Sequence, residues 1–293
     1  MKTFIEILKA VLYGIVEGIT EWLPVSSTGH LILIEDWLSF RFTQDAVFMD
    51  EFWEMFQVVI QLGAILAVVV LFWARLWPFS KDRTARRSTL SLWGKVLVAS
   101  LPAAFAGLVL DQILEKATGK DMDGWLYNSF VVALALIVYG VAFLLIERRG
   151  KNRTPRVEHL EDITYPMALC VGAFQVLSLV PGTSRSGSTI LGAMMLGLSR
   201  TVGAEFSFFM AIPVMVGASG VKALGFLKYV WESAVSVPAM AWVTLGVGCA
   251  VSFIVSLLAI RFLMDFVKRH TFSAFGVYRI ALGALVLLLA LLR

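Results

Sequence analysis

The sequence predicts an all-α polytopic membrane protein with six transmembrane helices plus two re-entrant helical hairpins in an inverted-topology repeat. Three observations predict it. Of 293 residues, 59% are hydrophobic and only 16% charged, with a mean hydropathy of +0.82, a composition suited to lipid and not to an ordinary soluble domain. Six stretches, near 56–77, 92–114, 128–147, 205–228, 238–262 and 274–292, approach the roughly 20 apolar residues that a helix needs to cross the hydrocarbon core. Four shorter apolar pieces, near 4–22, 27–39, 165–180 and 187–198, form two pairs, each broken by a proline and a run of hydroxyl residues.

The first pair, broken at Pro24-Val-Ser-Ser, reads as a hairpin whose first helix stays in the mature protein, because no small-residue cleavage site follows it. Non-helical backbone at membrane depth is tolerated only inside protein or along a polar cavity, so its tip is expected to face inward. Three spans follow, completing a first repeat over 1–147. A charged connector over 148–164 leads to the second repeat, 165–293, which opens with the hairpin broken at Pro181-Gly-Thr-Ser and continues with three more spans. Three is odd, so hairpins that return to their own side make the second repeat run upside down. The site of such a protein is expected where the halves meet.

Lysines and arginines orient it. Fifteen gather at the span ends of one face (Arg75 to Lys95, Arg148 to Arg156, Arg200, Arg261 to Arg269) against seven at the other. The positive-inside rule puts the fifteen in the cytoplasm of a bacterial inner membrane and both termini outside. The net charge of +4 is thereby assigned to loops, and no nucleic-acid partner is expected. Cys170 and Cys249 lack metal-type spacing and read as small buried hydrophobes. Trp22, Trp37, Trp73, Trp77, Trp93 and Trp231 fall near span boundaries, as belt residues do. Lys222 and Arg279 lie near span ends and read as snorkelling side chains. Glu54, Gln57 and Gln61 share a helical face, and Glu205 holds a like position after the second hairpin, where each could buttress the tips.

Chemistry concentrates at the two breaks. Glu17 and Glu21, four apart, share one helical face, and like charges so placed call for a cation, a proton or a basic partner. Pro24 ends that helix, while Ser26, Ser27 and Thr28 are good N-cap types for the next, where free N–H groups attract phosphate. At the second break, Gly182 and Gly187 let the backbone curl among the hydroxyls of Thr183, Ser184, Ser186, Ser188 and Thr189. Arg185 adds a planar fork that matches two phosphate oxygens. An arginine at membrane depth needs a partner, either a carboxylate or a ligand.

Three blocks, Glu17-Gly-Ile-Thr-Glu21 with Leu-Pro-Val-Ser-Ser-Thr-Gly-His30, Gln57-Val-Val-Ile-Gln-Leu-Gly, and Pro181-Gly-Thr-Ser-Arg-Ser-Gly-Ser-Thr189, resemble the undecaprenyl-diphosphatase family, also called bacitracin-resistance proteins. The resemblance covers essentially the whole chain. It implies hydrolysis of undecaprenyl diphosphate to undecaprenyl phosphate and inorganic phosphate, recycling the carrier for cell-wall synthesis, with divalent-metal dependence and an outward-facing site. It carries the family's motifs onto Glu17 and Glu21, onto Ser26, Ser27 and His30, and onto Ser184, Arg185 and Thr189.

On this reading Ser27, His30, Glu21 and Arg185 are catalytic, and Glu17 and Glu21 hold Mg²⁺ or Ca²⁺, hard cations that favour oxygen ligands. Ser26, Thr28, Gly182, Ser184, Ser186 and Thr189 bind the substrate. Ser27 attacks the terminal phosphorus with His30 as its base, or His30 or Glu21 activates a water directly. The expected partners are a polyprenyl diphosphate, membrane lipid and, in a homodimer, a second copy of the chain. An acid-phosphatase pattern, which places a histidine five residues after Ser-Arg, is not met, since the histidine after Arg185 is His270. The competing reading is a secondary transporter or polyprenyl-lipid translocator that uses the same repeat site for ion coupling.

Overall fold

The computed structural model describes residues 2–119, 126–151 and 154–292, so Lys120, Arg153 and Arg293 of the charge count, and the side chain of Trp37, lie outside it. In chain order the helices are α1 (Lys2–Thr20), α2 (Ser27–Leu38), α3 (Ala46–Leu71), α4 (Trp73–Leu76), α5 (Arg83–Thr118) and α6 (Ser129–Gly150). After the connector come α7 (Tyr165–Val176), α8 (Arg185–Met195), α9 (Arg200–Glu232), α10 (Ala239–Arg269) and α11 (Ser273–Leu292). Six of them, α3, α5, α6, α9, α10 and α11, are long and apolar enough to cross a membrane. Each contains one predicted span and overruns its bounds by up to about three turns.

Helix starts follow capping chemistry. Asp45, Asn128, Thr164 and Ser199 each accept a hydrogen bond from a backbone N–H three residues on, at the heads of α3, α6, α7 and α9. The breaks fall where the prolines stand, between α1 and α2 and between a short 3₁₀ turn, Leu177–Leu179, and α8.

The packing is paired across the two halves. The first hairpin helix, α1, lies on α10, while its counterpart, α7, lies on α5. Likewise α3 meets α10 as α9 meets α5, and α6 touches α8 as α11 touches α2. The remaining large contacts, α3 with α9 and α6 with α11, join like with like. Small residues bring the backbones together at these crossings, as is usual where lipid gives helices no hydrophobic drive to associate. A Cβ on Gly18 would stand 2.8 Å from the Ser252 carbonyl oxygen of α10, and one on Gly172 of α7 would stand 2.1 Å from that of Ala99 on α5.

Ion pairs brace the α3–α9 contact at two places. Lys222 donates to Glu54 at 2.9 Å, and Arg75, just beyond α3, pairs with Glu205. Neither acid supports the tips directly. Lys222 therefore does not simply snorkel. Glu147, buried at the end of α6, accepts two hydrogen bonds from Arg200 at 2.9 and 2.5 Å and one from the Phe272 N–H at 2.8 Å, tying α6 to the heads of α9 and α11.

Three readings need correcting. The cysteines are not buried: Cys170 is exposed and Cys249 half-buried, because the lipid-facing side of a membrane helix is itself apolar and burial no longer follows hydrophobicity. Trp73, Trp77 and Trp231 are exposed as belt residues should be, but Trp22 is 0% exposed and packs edge-on against Phe208. Arg279 does not snorkel and is 0% exposed inside the bundle.

The close approach at Gly18 predicts that Gly18→Val lowers the unfolding temperature in detergent, at a cost of about 1–3 kcal/mol for forced overpacking. Gly217→Val, at a position with nothing within 4 Å of a new Cβ, is expected to leave the transition nearly unmoved.

Candidate functional site

The two breaks converge and share one local geometry. Ser26 and Ser184 both take positive φ, 73° and 69°, and each side chain accepts the N–H of a glycine three residues on, Gly29 at 3.3 Å and Gly187 at 3.2 Å. A non-glycine residue in this region is strained and persists only where its surroundings hold it. Here the hydroxyl cap supplies part of that hold. The opening turns of α2 and α8 thus present free N–H groups to the same centre, an arrangement that favours anions.

The second tip is anchored to the first. Ser186 donates to the Glu21 carbonyl at 2.9 Å, and Arg185 reaches the Glu21 carboxylate through Nη2 at 3.1 Å and Nε at 3.3 Å. Its Nη1 donates to the Ser207 carbonyl at 2.9 Å, and its guanidinium lies 5.8 Å from the centre of the Trp22 ring. The partner that an intramembrane arginine requires is therefore Glu21, with Trp22 as an added cation–π face. Belt placement hid Trp22, since its position beside Glu21 was its only sequence signal.

Ser27 donates its hydroxyl to the other oxygen of Glu21 at 3.2 Å. His30, expected to serve Ser27, is turned elsewhere: Nδ1 meets the Ser26 carbonyl at 2.7 Å and Nε2 meets the Tyr278 hydroxyl at 2.7 Å. The physical reason is local. At the head of α2 the Ser26 carbonyl lies four residues back, within reach of the ring.

Glu17 is 0% exposed, and neither of its carboxylate oxygens has a hydrogen-bond partner, although Glu21 and Arg185 lie within electrostatic range. Among the remaining predicted residues, Thr28 and Ser184 are half-buried near the centre. Gly182 adopts φ +88°, and a Cβ there would meet the Val132 carbonyl oxygen at 2.6 Å. Thr189 is buried, donates to the Arg185 carbonyl at 2.9 Å and shares a 2.6 Å hydrogen bond with Ser207, so it fixes the shape of the tip from behind.

The residue that sequence reasoning missed is Arg279 of α11. It donates to the Pro24 carbonyl at 3.2 Å and to the Gly182 and Thr183 carbonyls at 2.8 Å each, so one side chain grips both tips. It forms no ion pair, and its guanidinium lies 5.5 Å from the centre of the Tyr139 ring. The signal available was its charge inside an apolar span, which snorkelling explained away.

The centre thus combines two arginines, two carboxylates, a serine hydroxyl and helix-head N–H groups. Such a set can hold a highly charged phosphate and deliver an oxygen nucleophile to it.

Comparison with known proteins agrees with this chemistry. Residues 10–285 match the family described as "Bacitracin resistance protein BacA". Similar proteins named undecaprenyl-diphosphatase occur in Streptococcus gordonii, 52% identical over 97% of this chain and 96% of the relative. Another, from Acetivibrio thermocellus, is 50% identical over 97% of each chain. One from Enterococcus faecalis is 49% identical over 98% of each.

Replacing Arg279 with methionine strands three carbonyls inside the protein. The expected loss is about 2–5 kcal/mol of stability, read as a lower unfolding temperature in detergent. Arg279→Lys is expected to recover only part of it, since a compact ammonium cannot span both tips as a planar fork does.

Proposed function

Because this chain belongs to the family of the bacitracin resistance protein BacA, we propose that it is an integral membrane phosphatase. It hydrolyses undecaprenyl diphosphate to undecaprenyl phosphate and inorganic phosphate, recycling the lipid carrier for peptidoglycan synthesis. The observation that carries the chemistry is the contact chain Arg185–Glu21–Ser27, assembled from both tips.

Without substrate, the fork of Arg185 is neutralised by Glu21. A diphosphate offers it more negative charge than a carboxylate does, so binding draws Arg185 onto phosphate oxygens. Glu21 then loses its cation and becomes the stronger base. The Ser27 hydroxyl already points at Glu21, so as its oxygen bonds to the terminal phosphorus, its proton passes to Glu21 Oε2. The bond from that phosphorus to the bridging oxygen breaks, and undecaprenyl phosphate leaves with the electron pair. Water then releases phosphate from Ser27. N–H groups at the heads of α2 and α8, with Arg185, stabilise the charge that builds on the phosphoryl oxygens.

A divalent cation, Mg²⁺ or Ca²⁺, fits this site. Glu17, a buried carboxylate with both oxygens unpartnered, calls for a positive neighbour, and oxygen donors suit a hard cation. Among the described residues no cluster of three His, Cys, Asp or Glu side chains could hold a metal unaided, so Glu17 and Glu21 would bind it together with substrate oxygens. When bound, the cation supplies neutralisation of phosphate charge.

The six apolar helices make the chain a multi-pass membrane protein. We read α1–α2 and α7–α8 as re-entrant hairpins of two inverted repeats. The paired packing of the halves and the twin serine caps support this. The lysine and arginine asymmetry supports an inner-membrane placement with the termini and active site outward. The partners are the polyprenyl diphosphate, surrounding lipid and, in a homodimer, a second copy of the chain.

Purified protein with undecaprenyl or farnesyl diphosphate is expected to release phosphate, and to stop when divalent cations are chelated. Arg185→Ala is expected to lower kcat at least about 100-fold, the scale of losing one charged stabiliser. Acid quench of the wild type is expected to trap phosphoserine at Ser27. Ser27→Ala with near-normal turnover would instead show water attacking phosphorus directly.

A further inference from the structure

The reaction proposed above creates a disposal problem that its principal residues do not solve. Splitting a trianionic diphosphate ester with water at mildly alkaline pH yields a dianionic ester, hydrogen phosphate and one proton. Glu21, re-paired with Arg185 between turnovers, is a poor store for that proton. His30 is the neighbouring group suited to hold it, and its surroundings settle how the proton moves.

The Ser26 carbonyl can only accept, so the 2.7 Å contact requires a proton on His30 Nδ1. In the neutral ring Nε2 is then a bare acceptor, and the group facing it at 2.7 Å is the Tyr278 hydroxyl. A hydroxyl donates to that acceptor when His30 is neutral. After turning about its C–O bond, it accepts from the N–H when His30 is charged. Both protonation states of the ring are therefore satisfied without moving a side chain, which neither a carbonyl nor an ammonium could achieve. The rings also lie parallel, 9° apart with centroids 5.7 Å from each other, so ring orientation is held as well as tautomer. Tyr278 is 46% exposed at the head of α11, whereas His30 sits deeper between α2 and its neighbours.

We propose that the Tyr278 hydroxyl is the port through which His30 exchanges its proton with the surroundings, making Tyr278 a positioning and relay residue of the phosphatase. For uptake, a proton bonds to the Tyr278 oxygen from outside while that oxygen's own hydrogen passes to Nε2. Tyr278 ends neutral and His30 gains one proton. Discharge runs the same two transfers backward.

The other titratable groups around the ring are accounted for. Glu21, on the turn after α1, is held by Arg185 and Ser27. Arg279 of α11, whose charge acts on His30, is committed to the tip carbonyls. Tyr139 of α6 lies against Arg279, and Glu35 on α2 itself receives the Tyr127 hydroxyl. Tyr278 is the one with a direct bond to the ring.

The proposal rests on the phosphatase reading and is tested so that the two can fail separately. Wild type, Tyr278→Phe, His30→Ala and the double variant are assayed for phosphate release across pH, with farnesyl diphosphate and a divalent cation. Tyr278→Phe keeps the ring but not the hydroxyl. It is expected to lower kcat about tenfold with KM little changed, a modest share of what proton transfer contributes, and to displace the pH profile. In the His30→Ala background the same change is expected to cost nothing further. An unaltered profile, or an equal loss with and without His30, overturns the relay while leaving the phosphatase intact. No phosphate release by the wild type overturns the phosphatase instead. Nitrogen NMR of labelled His30 then decides the pairing alone: Tyr278→Phe must move the Nε2 signal, and an unmoved signal overturns the relay.

Discussion

Two helices that stop inside the protein leave backbone carbonyls with no helical partner, and the fold depends on answering them. Arg279 does most of this work. A guanidinium bonded only to carbonyls keeps its full charge, which in an apolar surround is unfavourable unless an anion arrives. The same side chain that joins the tips therefore biases the cavity toward negative ligands before any ligand is present. Arg185 differs, because its charge is cancelled by Glu21 and becomes available only when something displaces that carboxylate. One arginine builds the site, and the other responds to its occupant.

The division of labour among hydroxyls follows the same logic. Ser26 and Ser184 cap helices in a strained backbone, and Ser186 and Thr189 bond to carbonyls that hold the tips together. Ser27 differs: half-buried and bonded to a carboxylate, its hydroxyl is both reachable and aimed at a base. Hydroxyl-rich motifs in a membrane protein are thus mostly scaffolding that lets one hydroxyl react.

Much of this was legible in the chain. The prolines at 24 and 181 ended helices as their missing N–H groups require, and apolar length alone located all six spans. The partner of Arg185 followed from the expense of a lone charge in lipid. What escaped the sequence was direction. Arg279 lies near a span end, where a long basic side chain could as well reach water, and nothing in its neighbours told which way it pointed. Trp22 failed for the same reason. His30 failed through a short-range competition, because spacing put it three residues from Ser27 but could not weigh a carbonyl four residues back against that hydroxyl.

The interlocking of the halves bears on how the protein is made. The first helix to leave the ribosome, α1, finds its main packing surface on α10, the last helix but one, while α7 can dock at once on the α5 already synthesised. Through most of translation the acidic hairpin helix has no cover for Glu17 and nothing to set its glycines against. The nascent chain must therefore carry an unfinished amino-terminal segment in a provisional berth until its tail arrives, and a transcript cut short before α10 yields a product whose first helix can never be seated.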